Sequence, residues 1–281
     1  MPLSTATGYA DYKARVEAHQ YEAMYIKGTS GVASANAFVP TWQGVNSSGA
    51  APTSATSTTL NSTTLGSLWQ SSANVPNPSS NLFLTEIEAD IASSLACFML
   101  LIDRLTHSNG CNWNVNTSQV VGLPTPLPDR SSGGAGNMMA LMNWTSAANA
   151  AAAVTVVYTD QNGTSGNVAP VVNVAASLPS GRAILIPTAS TDTGVRVVEQ
   201  VTVGTSGTTA GNFGFIVFRP LAIVPFFGAA PSGTPSYRNM LVGGGGAMSS
   251  LASSACLDFL AGPMLAGATL TFGRIGMIET G

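Results

Sequence analysis

Residues 95–111 read LACFMLLIDRLTHSNGC and hold the densest set of reactive side chains in the sequence: Cys97, Asp103, Arg104, His107 and Cys111. An acid, a histidine and a thiol are the parts of a nucleophilic site, in which a base takes the nucleophile's proton and a carboxylate orients the base. Two thiols and an imidazole are also three soft ligands for zinc. The spacing argues against both. The run from Leu95 to Leu105 is almost continuously apolar, which reads as a buried strand. On a strand, Asp103 and His107 share a face at a separation of roughly 13 Å, too far for a dyad. Zinc would need a fourth ligand, and Cys97 sits mid-strand among apolar neighbours, where a thiol packs as a small hydrophobe. The stretch is therefore expected to be a strand ending in a His-Ser-Asn-Gly turn, with Asp103 and Arg104 satisfied by backbone or cross-strand partners.

Other candidate chemistry is sparser. Glu86 and Glu88 alternate along LFLTEIEAD and share a strand face, a pattern that suits a hard cation or a sugar bond. Two solvent-facing acids on a half-buried strand is the simpler reading. No GxSxG elbow occurs, and the glycine run at 243–246 lacks the following Lys-Ser/Thr of a phosphate loop. Trp42, Trp69, Trp113 and Trp144 can line a carbohydrate groove, although Trp more often anchors a core or an interface. No catalytic, cofactor-binding or metal site is expected, and no cofactor.

Only 8% of the 281 residues are charged, against about 25% in an ordinary soluble domain. The remainder beyond the 45% apolar fraction is mostly small and polar, which suits a surface covered by neighbours. A net charge of −3 with only two lysines, Lys13 and Lys27, provides no footprint for nucleic acid or anionic lipid. The longest apolar runs fall short of the ~20 residues of a spanning helix. The opening MPLSTATGYADYK lacks a basic region leading into an apolar one, so no secretory signal is expected. Three cysteines without a CxxC pair read as reduced and buried.

The elements that must position these residues fall into three segments. Residues 1–27 form an N-terminal helical segment, with Tyr9, Tyr12, Val16 and Ala23 or Met24 along one stripe of a helix over 8–24. Residues 28–81 carry no charge and read as an extended Ser/Thr/Ala-rich arm lying on another surface, anchored by Phe38, Trp42, Leu65 and Trp69. Residues 82–281 form a β-sandwich domain of many short strands, with Asn162-Gly163 turning a hairpin. The fold class is mainly β, a jelly-roll-like sandwich with an N-terminal helix and an extended arm. Tyr9, Tyr12, Phe38, Trp42 and Trp69 are the expected assembly contacts.

The stretch LIDRLTHSNG resembles the YDRLWHNSG-type segment of a family of virion-associated structural proteins from tailed bacteriophages. The resemblance continues in the same order through VTVVYTDQNGTSGNVAPVV, TDTGVRVVEQVTVG, FIVFRPLAIVP, ACLDFLAG and GATLTFGRIG. It covers roughly residue 41 to the end and departs at Thr106, where an aromatic is common. These are strand and turn signatures, so they imply a shell or decoration protein and no activity. The expected function is a structural component of the virion, a capsid decoration or minor capsid protein that reinforces the head lattice. The alternative is a tail or head-fibre adhesin or adaptor that binds a host glycan or a neighbouring tail protein. Expected partners are the major capsid protein, other virion proteins and copies of the chain itself as a homotrimer, with no nucleic acid and no membrane. The expected location is the virion, assembled in the host bacterial cytoplasm.

Overall fold

The computed structural model describes residues 21–29, 37–40, 58–61, 64, 67, 82–91, 97–121, 127, 129–144, 152–175, 178–204, 211–226, 236–239, 250–252, 254–262 and 269–279. The first strands are β1 (Tyr21–Thr29), β2 (Val39–Pro40), β3 (Thr58–Thr59), β4 (Leu82–Ile91), β5 (Cys97–His107), β6 (Cys111–Asn112) and β7 (Gln119–Val120). A 3-10 turn over Asp129–Gly134 leads into β8 (Met138–Asn143), β9 (Ala152–Asp160), β10 (Asn167–Val168), β11 (Val172–Val174), β12 (Arg182–Ile186) and β13 (Val195–Val203). The last are β14 (Asn212–Phe226), β15 (Ser236–Asn239), β16 (Ser250–Leu251), β17 (Leu257–Gly262) and β18 (Thr269–Glu279). The described residues are thus mainly β and include no α-helix. Of the helix expected over 8–24, residues 8–20 lie outside the described set, and Tyr21–Met24 belong to β1 instead. The unbroken ladder from Tyr21–Thr29 to β18 accounts for the strand.

All ladders are antiparallel and form three sheets. One outer sheet has the order β1-β18-β4-β15 with β16 also on β4, and a second has β10-β9-β13-β7 with β11 also on β9. The central sheet runs β12-β8-β14-β5-β17-β2, and its two ends meet. Phe38, just before β2, donates its N–H to the Ala183 carbonyl of β12 at 2.7 Å and accepts the Ala183 N–H at 2.9 Å. The central sheet therefore curls into a closed barrel, which removes its open edges. The described pieces of the arm add strands to this same chain: β2 lies on β17 and β3 on β5.

Closure explains the burial pattern. Leu100, Ile102, Ala140, Met142, Trp144, Ala183, Ile216, Phe218, Leu260 and Phe38 form one cluster, the inward-facing set of the barrel. Alternate residues point outward and are covered twice. Met99, Leu101, Val224, Leu257 and Phe259 pack under the β4–β18 sheet. Leu105, Met139, Leu141, Phe213, Phe215 and Val217 pack under the β9–β13 sheet. Fully burying one such side chain contributes about 2 to 3 kcal/mol. With both wall faces buried, the barrel strands read as continuous apolar runs, whereas β9, covered on one face, alternates strictly along AAVTVVYTD.

Turns carry their own chemistry. Asp160 Oδ1 accepts the N–H groups of Asn162 and Thr164, both at 2.8 Å. Gly163 then takes φ 85°, a left-handed conformation that glycine adopts without strain, and the hairpin expected at Asn162-Gly163 forms between β9 and β10.

Gly214 in β14 has no room for a side chain, because a Cβ there would lie 2.1 Å from the Ser108 carbonyl oxygen. Ser108 N–H is bonded to the Phe215 carbonyl at 2.8 Å, so the backbone cannot withdraw. Gly214→Ala is expected to destabilise the fold by about 3 kcal/mol, the upper range for overpacking. Urea unfolding checks this, and an unchanged midpoint would contradict the close approach.

Candidate functional site

The site begins at the middle of β5, where two oppositely charged neighbours occupy a strand with both faces buried. Asp103 and Arg104 are 0% and 1% exposed. Adjacent strand residues point to opposite faces, so each needs a partner in a different compartment.

Asp103 faces outward, between the two clusters on the barrel wall. Arg130, from the 3-10 turn, places its Nε 3.2 Å from Oδ1 and 3.0 Å from Oδ2 of Asp103. The Cys256 N–H donates to Asp103 Oδ1 at 2.8 Å. Arg130 Nη2 donates to the Arg104 carbonyl at 3.0 Å and also to the Leu60 carbonyl in the arm. One guanidinium thus ties the 3-10 turn, β5 and the arm together. Burial pushes the Asp103 carboxyl above its ordinary range, and Arg130, the Cys256 amide and the facing Arg219 pull it back.

Arg104 faces into the barrel, where its Nη2 lies 3.4 Å from Asp258 Oδ2 of β17. Its backbone N–H donates to the Cys256 carbonyl at 2.9 Å. Two buried ion pairs therefore sit back to back across one strand.

His107 does not join Asp103. The β5–β14 register shifts between Val217 and Phe218, so Leu105 is an extra residue on β5. Leu105 and Thr106 both meet the outer side, and His107 pairs with inward-facing Ile216. The shared face expected for Asp103 and His107 is thus corrected: the bulge turns His107 to the opposite face. Its ring meets Trp144 edge-to-face at 6.1 Å, and its Nδ1 is buried without a hydrogen-bond partner. Burial, followed by the nearby Arg104, lowers its pKa to about 4.

The thiols are separated too. Cys111 belongs to the cluster under the β9–β13 sheet, and burial raises its pKa to about 11. Cys256 is fully buried beside Asp103, and burial raises its thiol as well. Both are free cysteines in thiol form. The side chain of Cys97 lies outside the described residues.

The remaining candidates disperse. Glu86 is only 2% exposed, so the reading of two solvent-facing acids is corrected. The ladder from β18 to β4 shifts between Gly276 and Met277, opposite Thr85, and Leu84, Thr85, Glu86 and Ile87 are all buried. Glu88 remains half-buried. Trp113 and Trp144 are interior anchors at 2% and 5% exposure. Their indole N–H groups donate to Asn143 Oδ1 at 3.1 Å and to the Ser108 carbonyl at 2.9 Å. Neither lines a glycan groove. Phe38 is seated in the barrel, while Tyr9, Tyr12, Trp42 and Trp69 lie outside the described residues. No cluster of three metal-ligating side chains occurs among the described residues. Arg130 was not singled out in the sequence; its one signal was an Asp-Arg pair, Asp129 and Arg130, in a Pro- and Ser-rich stretch.

Arg130→Ala leaves the Asp103 carboxylate buried without its partner, and should destabilise the protein by about 3 to 5 kcal/mol. Replacing the pair together, as Asp103→Leu with Arg130→Met, should recover most of that loss in the same urea titration. Equal losses for the single and double variants would count against the pairing. The unfolded chain protonates His107 near pH 6.5 and the folded chain near 4. Stability from this group is therefore full above pH 6.5 and falls as pH drops to about 4, by on the order of 3 kcal/mol. His107→Gln should flatten that part of the stability profile. A profile identical to the parent's would show that His107 titrates normally.

No protein-family model, curated protein or solved structure matches the chain, so the arrangement of its own side chains is what bears on its role.

Proposed function

We propose that this chain is a structural component of a tailed-phage virion, a capsid decoration or minor capsid protein that reinforces the head lattice. The observation that carries this reading is where the charges lie. Twelve charged residues have described side chains. Glu86, Asp103, Arg104, Asp160, Arg182 and Asp258 are buried, Glu88, Arg130, Asp192, Glu199 and Arg219 are intermediate, and Arg196 alone is exposed. A free soluble domain typically carries about 25 to 35% charged residues on its surface. Among the described residues most charges are thus drawn into the fold, and the exposed positions are mostly Ser, Thr, Asn, Gly and some apolar groups.

The outer face of the β9–β13 sheet has the same character. Val168 pairs with Val157, which pairs with Gln200, which pairs with Val120. Val120, Val168 and nearby Val171 are 79%, 55% and 58% exposed. The face also carries exposed Arg196 and half-buried Glu199, but its three exposed valines suit lasting cover by a neighbour. The resemblance to tailed-phage virion proteins supports the same conclusion. Stacking of two sheets on the wall of a third supports the jelly-roll-like class.

In this reading the partners are the major capsid protein, other virion proteins and copies of the chain as a homotrimer, and the chain resides in the particle. The role needs no reaction, and the groups at hand are engaged in packing and ion pairs. Attachment at many points would strengthen the lattice without strong individual contacts.

Cryo-electron microscopy of the intact virion tests the role through copy number. A decoration protein should be present in on the order of hundreds of symmetry-related copies. About a dozen copies or fewer at the tail or portal vertex would favour the adhesin or adaptor role instead. Absence from the purified particle would overturn both.

A further inference from the structure

The strands before residue 58 are edge additions. β1 lies along β18 at the end of an outer sheet, and residues 38–40 fill the gap between β17 and β12 that closes the barrel. Without them, β18, β17 and β12 would each present an open edge, which is a template for strand pairing. All three edges belong to residues 182–279.

The seat for residues 38–40 is shaped in advance. Gly262 has no space for a Cβ, which would come within 2.6 Å of the Phe98 ring and 2.7 Å of the Phe38 ring. Phe38 and Phe98 meet edge-to-face at 5.7 Å. The ring of Phe38 thus fills a socket floored by glycine. The hold on the backbone is small. One side has the two bonds between Phe38 and Ala183, and the other has two register pairs, Val39 with Ala261 and Pro40 with Leu260. Pro40 has no N–H to donate. The socket is specific for the strand but indifferent to which chain carries it.

Residues 41–57, TWQGVNSSGAAPTSATS, connect this strand to β3 and contain no charged residue. Fully extended, such a segment reaches roughly 60 Å. That is long enough for the preceding residues to reach an equivalent seat on a neighbour. Exchange of an identical element creates the same contacts between chains as within one, so it requires little new interface energy.

We propose that the residues up to Pro40 are an exchangeable arm, seated in the oligomer on β18 and between β17 and β12 of a second copy of this chain. The open edges and the Phe38 socket make a joint between copies, with residues 41–57 as the connection. This goes beyond the virion assignment and stands whether or not the oligomer belongs to a particle.

Copies that each carry half of a cysteine pair test the exchange. Full-length chains with Val39→Cys only and chains with Ala261→Cys only are co-expressed under different tags, purified together and oxidised. The register pairs these positions directly. A covalent species containing both tags is expected, above the background of the unsubstituted chain with its own Cys97, Cys111 and Cys256. Thr29→Cys with Thr269→Cys, which face each other between β1 and β18, supplies a second pair should the first impair folding. Lack of a two-chain species with both pairs overturns the proposal. Closure within single chains that carry both cysteines would then assign the arm to its own barrel.

Discussion

The structure depends on the requirement that a charge within a sheet buried on both sides be neutralised in the compartment it faces. β5 is such a strand, with fully buried neighbours before and after Asp103 and Arg104. Its outward acid calls in Arg130 from a turn remote in sequence, and its inward base meets Asp258 on the next strand of the barrel. An isolated buried charge would cost several kcal/mol. These two contacts therefore set how the 3-10 turn, the arm and β17 must be arranged around β5. The Cys256 backbone contributes to both, bonding Asp103 with its N–H and Arg104 with its carbonyl.

The same constraint explains why a stretch that resembles a reactive site is not assembled as one. A nucleophilic site needs an acid, a base and a thiol converging on a solvent-reachable point. Here the acid is used by an arginine, the base faces the barrel interior, and the described thiols are buried with raised pKa values. The bulge at Leu105 separates acid from base more decisively than distance along the strand. Burial also accounts for Trp113 and Trp144, whose polar N–H groups are satisfied inside.

Barrel closure and the quiet surface are linked. Charges drawn inward to hold strands together are not available outside. A central sheet closed by a short arm segment lacks the exposed edges that charged residues usually guard. Among the described residues, what remains outside is mostly small, polar or aliphatic. Arg196 is the exposed exception among the described charges, and its Nε is held by the carbonyls of Gly133 and Gln161 at 2.6 and 3.0 Å.

By itself, the sequence determined the mainly β class, most of the longer strands from Leu82 onward though not β8, the hairpin at Asn162-Gly163 and the need of Asp103 and Arg104 for partners. These follow from local rules: period-two alternation, continuous apolar runs, turn residues and the expense of a buried charge. Only the tertiary structure decided who the partners are, because Arg130 and Asp258 lie 27 and 154 positions from Asp103 and Arg104 and no local pattern links them. It also decided the burial of Glu86, and it decided the face of His107, since the bulge at Leu105 is created by register between strands and inverts the parity that a single strand suggests. Closure by Phe38 belongs to the same class: an anchoring aromatic was legible in the uncharged arm, but the gap it fills exists only once β12 and β17 have curled toward each other.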